Sequence, residues 1–290
     1  MSQYHTYIID AFTSTPFCGN PAGVVLLPPD QQLPDAQLQK IAGELNQTET
    51  AFVTPTNASG PDAFRTASQF GLRWFTPTQE IKLCGHATLA TAHVLFTFFE
   101  NVSNVLHFNS LSGELRVQRA ADGFLAMAFP IDVPKPIAVT EDVRTLAASV
   151  YGEYLPDTEI LYSPSLRFLL LHNPTLALDT VDKLTPNITG DAYAAGKRLN
   201  ITGLVVTSRA SDKDFKSRLF GPWIGIPEDP VTGATHTILA PYWAEHLAKK
   251  VFSAAQVSKR RGDLEVEIVS DTHVQISGKA VAVLQGVISV

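Results

Sequence analysis

Short runs in which apolar and polar residues alternate, or β-branched residues cluster, occupy 4–12, 22–27, 49–53, 63–70, 71–75 and 106–109. Proline, glycine and asparagine separate them, and the pattern predicts short β-strands. Two stretches switch to helical period. Over 34–45, Leu38, Ile41, Ala42 and Leu45 share one face and predict an amphipathic helix. Over 85–99 apolar residues lie on nearly every face, which predicts a helix buried all round.

After residue 111 the same succession returns, with strands predicted over 114–119, 124–129, 167–171 and 203–208, then a helix from Gly233 to about residue 248. The likeness is clearest where each buried helix begins. The first half reads Glu80-Ile-Lys-Leu-Cys84-Gly85-His86-Ala-Thr, and the second Asp229-Pro-Val-Thr232-Gly233-Ala234-Thr235-His236. Each offers an acid, a short spacer, a glycine and small residues that open an apolar helix, so the chain reads as duplicated. Residues 263–290 read as three antiparallel strands with tight turns at 270–272 and 277–279, the last apolar enough to be central in its sheet. The stretches 130–136 and 156–164 read as loops but not as flexible tethers, so the halves are expected to pack together.

With 290 residues, 45% hydrophobic and 17% charged, the chain has material for a full core and is long for one compact unit. Two domains are expected, the first over 1–113 with about 280–290 and the second over 114–279. The net charge of −6 arises from acids and bases spread along the chain, with no run to track a phosphate backbone, so nucleic acid is excluded as a partner. The two cysteines, Cys18 and Cys84, make no disulfide framework or Cys-x-x-Cys pair and fit a reducing, cytoplasmic setting. No signal peptide is visible at the start. The apolar stretch at 87–99 is broken by Thr and His and is well short of the ~20 residues of a membrane span. Nucleotide-binding glycine motifs are absent. No metal or cofactor is expected: the eight histidines lie mostly alone, and His86 and His93 are seven residues apart rather than the three or four that share a helical face.

Two helices opening on Gly85-His86 and Gly233-Ala234 would each present free backbone N–H groups and a positive dipole end, a geometry that holds carboxylates. The alternative is that both glycines serve tight helix packing. Glu49 stands where the polar loop Asn46-Gln-Thr48 becomes an apolar strand. It is either a solvated strand-edge residue or a pocket carboxylate with a raised pKa, suited to taking up and returning a proton near neutrality. His86 reads as a site residue or a satisfied helix-start histidine, and Asp229 as a site residue or a turn cap. Cys84, directly before Gly85, would have a depressed pKa at a helix N-terminus. A two-thiol racemase, however, needs a second cysteine where the chain has Thr232.

In order along the chain, Asp10-Ala-Phe-Thr, Phe17-Cys-Gly-Asn20-Pro-Ala-Gly-Val-Val25, the segment 46–53, Arg73-Trp-Phe-Thr-Pro77, Gly85-His86-Ala-Thr-Leu-Ala90 and Glu228-Asp229-Pro-Val-Thr-Gly233 resemble the signature segments of the PhzF, or phenazine-biosynthesis-like, family. The match runs to about residue 247. The resemblance implies an α+β fold shared with diaminopimelate epimerase and proline racemase: two similar domains, each a curled antiparallel sheet or barrel around a central helix, with the site between them. It also implies that the C-terminal strand returns to the first domain and that the protein is a homodimer. The family's catalytic glutamate falls on Glu49, its site histidine on His86 and its site aspartate on Asp229, with substrate contacts at Asn20, Gly85, Gly233, Ala234 and Thr235. The reaction implied is cofactor-free isomerisation of a small carboxylated metabolite. In the family's best-known member the glutamate removes a ring proton of dihydro-3-hydroxyanthranilate and returns it at another carbon. Ala234 stands where the family usually has serine, with Thr235 one residue on, so one hydroxyl contact is lost or displaced. A cysteine-assisted amino-acid epimerase and a non-catalytic metabolite- or protein-binding scaffold are the alternatives.

Overall fold

The computed structural model describes residues 1–290 and divides into two compact units, Met1–Ala128 with Gln275–Val290, and Phe129–Val274. The boundary expected after residue 113 falls in the turn of a β-hairpin whose strands belong to the first unit.

The first unit runs β1 (Gln3–Ala11), β2 (Asn20–Leu26), α1 (Asp35–Leu45), β3 (Glu49–Pro55), α2 (Ala63–Thr66), β4 (Gln69–Phe75), β5 (Glu80–Ile81), α3 (Gly85–Thr97), β6 (Val105–Ser110), β7 (Gly113–Arg119) and β8 (Leu125–Pro130). Most neighbours pair antiparallel, but β2 with β3 and β4 with β6 are parallel. Parallel neighbours need a crossover, and α1 and α3 lie in those two connections. The strand predicted over 63–70 is instead one turn of helix followed by the start of β4. The buried side-chain amide of Asn101 donates to the carbonyls of Phe64 and Ala67, each at 2.7 Å, which pins that turn.

Residues 86–92 of α3 are all buried. The polar residues in that run are accommodated locally: the hydroxyls of Thr88 and Thr91 donate to the carbonyls of Cys84 and Ala87 at 2.6 and 2.7 Å.

The second unit runs β9 (Lys135–Pro136), α4 (Glu141–Tyr151), β10 (Glu159–Ser163), β11 (Phe168–His172), α5 (Gly190–Arg198), β12 (Gly203–Arg209), β13 (Phe215–Gly221), β14 (Ile226–Asp229), α6 (Thr235–Leu247), β15 (Val251–Gln256) and β16 (Gly262–Ile268), and the chain re-enters the first unit within β17 (His273–Gly278). The parallel pairs recur, β11 with β12 across α5 and β13 with β15 across α6, so the duplication extends to sheet topology. Helices α4 and α5 were not anticipated. Thr140 caps α4, accepting from the N–H of Val143, and Val143, Leu146 and Val150 pack with Leu169, Leu171 and Val206. Strand β10 lies within the stretch read as a loop, between Pro156 and Pro164. Helix α6 begins at Thr235 rather than Gly233 and continues through Pro241. Proline has no N–H for the carbonyl of Thr237, and the backbone N–H of Asp132 takes that carbonyl instead, at 3.2 Å.

The chain closes with β18 (Ala280–Ser289), antiparallel to β1. It is not a buried central strand: most of its residues are partly or fully exposed, Leu284 and Val287 among them. No helix is long and apolar enough to cross a membrane.

Candidate active site

In the first unit, Asn46 ends α1 in the left-handed conformation, the chain turns, and Glu49 becomes the first residue of β3, opposite Ala22 of β2. The Thr48 hydroxyl donates to the Pro21 carbonyl at 3.1 Å and anchors the turn. The two strands approach closely because residue 23 is glycine: a Cβ there would meet the Thr50 hydroxyl oxygen at 2.8 Å. Asn20 is fully buried at the start of β2, opposite Ala11. Gly19 before it has φ +66°, and a Cβ would meet the Ala11 carbonyl oxygen at 2.2 Å, so only glycine delivers the chain to Asn20.

Glu49 faces the first turn of α3. Its Oε2 lies 3.2 Å from His86 Nε2, and the two side chains are 12% and 9% exposed. Cys84 is the N-cap residue of α3, and its sulfur lies 3.4 Å from His86 Nδ1. Strand start and helix start thus bring a carboxylate, an imidazole and a thiol into one buried cluster, although nothing in their spacing along the chain predicts a metal-type grouping.

Burial pushes the Glu49 carboxyl up, but the hydrogen bond and charge of His86, aided by Thr48, outweigh it and leave the group below its usual value. The raised pKa expected for a pocket glutamate is therefore absent while His86 is its partner. Burial pushes His86 down, yet Cys84 and Glu49 on either side carry it well above the ordinary imidazole value. Burial pushes the Cys84 thiol up, and the nearby Glu49 carboxylate adds to this. The depressed thiol expected at a helix N-terminus is overturned, because desolvation exceeds what the helix end and His86 supply. With Cys84 a thiol, the charge that holds the imidazolium is that of Glu49.

In the second unit, Asp229 ends β14, and Thr232, Gly233, Ala234 and Thr235 lead into α6. The Thr232 hydroxyl donates to the Asp229 carboxylate. Gln256 at the end of β15, which no sequence pattern marked, is fully buried and staples this turn: its amide donates to the Asp229 carbonyl at 2.8 Å, and its oxygen accepts from the Thr232 N–H at 2.9 Å. The fully buried Thr235 hydroxyl and His236 Nε2 have no hydrogen-bond partner within the chain. Burial lowers His236 to about 4, so its ring is neutral.

The structure also corrects how the halves correspond. Arg73 of β4 pairs with Glu80 of β5 at 2.7 Å, and Arg218 of β13 pairs with Glu228 of β14 at 2.7 Å. Glu228, not Asp229, is therefore the counterpart of Glu80, each five residues before its glycine. On that alignment Thr232 stands where the first half has Cys84, and Ala234 where it has His86.

The family described as phenazine biosynthesis-like protein, PhzC-PhzF, matches residues 9–286. A phenazine biosynthesis-like domain-containing protein 2 of Mus musculus is 42% identical over 290 residues, covering 98% of each chain. A protein of Pseudomonas aeruginosa named as an uncharacterized isomerase is 42% identical over 278 residues, covering 96% of each. Among solved structures, a PhzF-family protein of Enterococcus faecalis superposes with a TM-score of 0.85 at 37% identity over the whole of both chains. A hydroxyproline epimerase of Agrobacterium vitis shares the fold at a TM-score of 0.59 and 11% identity, covering 99% of this chain and 92% of its own.

Proposed function

We propose, from the premise that this chain belongs to the phenazine-biosynthesis-like PhzC-PhzF family, that it is an isomerase moving a proton on a small carboxylic acid with Glu49 as acid and base. Relatives named as isomerases and the epimerase fold support the reaction class. One observation carries the choice of residue: the buried contact of 3.2 Å between Glu49 and His86.

In the resting enzyme His86 keeps Glu49 ionised and so ready to accept a proton. A substrate carboxylate or enolic oxygen that takes the imidazolium's hydrogen bond frees Glu49 from its partner. Burial then dominates, the carboxylate becomes more basic, and it removes a proton from a carbon made acidic by conjugation with the substrate's own unsaturated system. The electron pair moves into that system. Glu49, now a carboxylic acid whose proton exchanges with solvent, delivers a proton at another carbon, so the substrate is isomerised, solvent deuterium can enter the product, and Glu49 ends as it began. Asp229, held in its turn by Thr232 and Gln256, and the unpartnered hydroxyl of Thr235 are the groups assigned to the substrate's polar atoms. Thr235 supplies the hydroxyl that Ala234 does not. The cysteine-assisted reading gains nothing from the geometry, since Cys84 is held as a thiol and its counterpart is Thr232.

The test is incubation in D2O with dihydro-3-hydroxyanthranilate and a panel of cyclic, unsaturated and α-amino acids, followed by NMR. Deuterium exchange that wild type catalyses and Glu49→Gln does not supports the assignment. Exchange that survives Glu49→Gln removes it, and a protein that binds panel members without exchanging any is the non-catalytic scaffold.

A further inference from the structure

A second cluster of titratable groups lies wholly in the second unit and has no part in the proposed proton transfer. Glu159 of β10 and His172 of β11 are direct cross-strand partners, and His246 is on the last turn of α6, one turn beyond Tyr242. One ligand atom from each of Glu159, His172 and His246 lies within 4.8 Å of the others. We propose that these three side chains bind a divalent first-row transition metal of the Zn2+ type, which staples the β10–β11 hairpin to α6.

The donor set is two imidazoles and one carboxylate, a chemistry that suits Zn2+ and its neighbours rather than Mg2+ or Ca2+. One pair of donors already has the spacing of a coordinated pair. Ligand atoms on a tetrahedral Zn2+ with bonds of ~2.0–2.2 Å stand roughly 3.3 Å apart. His246 Nε2 and Glu159 Oε2 already stand at 3.1 Å.

The hydrogen bonds around the cluster orient it as outer-shell partners do. His246 Nδ1 lies 2.9 Å from the backbone carbonyl of Tyr242, which can only accept, so Nδ1 carries the proton and Nε2 is the atom turned to Glu159. The Tyr242 hydroxyl donates to Glu159 Oε2 at 2.6 Å and lies 2.5 Å from His172 Nδ1. His172 is buried at the end of β11. Two imidazoles and a carboxylate brought together by a cross-strand pair and a helix end, with the outer nitrogen of His246 fixed on a carbonyl, form a metal-binding set.

The experiment titrates metal-free full-length protein, its purification tag removed, with Co2+ and follows the absorption spectrum. The expected result is one equivalent bound with visible d–d bands and no thiolate-to-cobalt charge-transfer band. Zn2+ should displace the Co2+ and raise the melting temperature. Binding should persist in Cys84→Ser and weaken in both His246→Gln and Glu159→Gln by more than about 100-fold, the loss that outer-shell partners alone reach. His246 is 29% exposed at a helix end, so its replacement leaves the fold intact, which circular dichroism checks. No Co2+ bound at millimolar concentration, binding unchanged in His246→Gln, or a charge-transfer band that disappears in Cys84→Ser would each overturn the proposal. The last would move the metal to the Glu49–Cys84–His86 cluster.

Discussion

Replacing His86 by leucine keeps the bulk of the side chain but leaves Glu49 buried without its partner. Removing one member of a buried ion pair costs ~3–5 kcal/mol when the other stays charged. Glu49 has an escape, because it can take up a proton. Against an ordinary glutamate value of ~4.3, that uptake costs about 3.7 kcal/mol at pH 7 and about 1 kcal/mol at pH 5, at 1.36 kcal/mol per pH unit. The sign follows from the shifts. In wild type Glu49 is depressed, so its contribution is present above the ordinary carboxylate pKa and is lost as pH falls through the folded value. In His86→Leu only burial remains, the folded value is raised, and the destabilisation grows as pH rises above ~4.3. The expected loss is therefore about 3–4 kcal/mol at pH 7 and about 1 kcal/mol at pH 5. Urea unfolding of both proteins at the two pH values reads it by circular dichroism and by the emission of Trp74, which is buried in the same unit as the pair. A loss below about 1 kcal/mol at pH 7, or the same loss at both pH values, would refute a buried ion pair at this position.

The pH–rate profile carries a second signature: the acid limb of kcat should lie at higher pH than that of kcat/KM, because Glu49 is depressed by His86 in the free enzyme and freed by substrate. Coincident limbs would contradict the partner exchange. On the alkaline side kcat/KM should fall only well above the ordinary histidine range, as His86 loses the proton that Glu49 holds on it. Cys84→Ser should retain exchange within about tenfold, whereas the 10²–10⁴-fold loss of a missing acid–base group would reinstate the thiol reading. Gly23→Ala puts a Cβ 2.8 Å from the Thr50 hydroxyl oxygen and 3.2 Å from its methyl, so a melting experiment should show overpacking of about 1–3 kcal/mol. Exchange should fall with it, since Thr50 adjoins Glu49, and an unchanged melting temperature would show that the strand gap is slack.

Much of the candidate site was legible because its residues break local patterns. Glu49 interrupts a polar-to-apolar transition, and His86 follows a glycine at the head of an all-apolar helix, so both stand out before any contact is known. The duplication was visible in the helix starts, aligned on Gly85 and Gly233, but the acid matched to Glu80 was taken one residue late, at Asp229. Only the Arg73–Glu80 and Arg218–Glu228 pairs reveal that Glu228 matches Glu80. The direction of the Glu49 and Cys84 shifts was out of reach, since each is a contest between burial and a partner 3–4 Å away that sequence does not place. Gln256 carries no pattern, because a buried glutamine at a strand end looks like any solvated one. Helices α4 and α5 were missed although Thr140-Glu141-Asp142 and Gly152 are ordinary start and stop signals. The Glu159, His172 and His246 cluster draws on two strands and a helix spread over 88 residues, a proximity only the fold creates.

The most direct test of the central claim is the rate of deuterium wash-in to product for wild type and Glu49→Gln at neutral pH, with substrate binding measured on the same samples. The account predicts that Glu49→Gln binds substrate and loses exchange by about 10²–10⁴-fold or more, the share a positioned acid–base group supplies. Exchange at the wild-type rate in a variant that binds normally would contradict it and place the proton transfer on another residue.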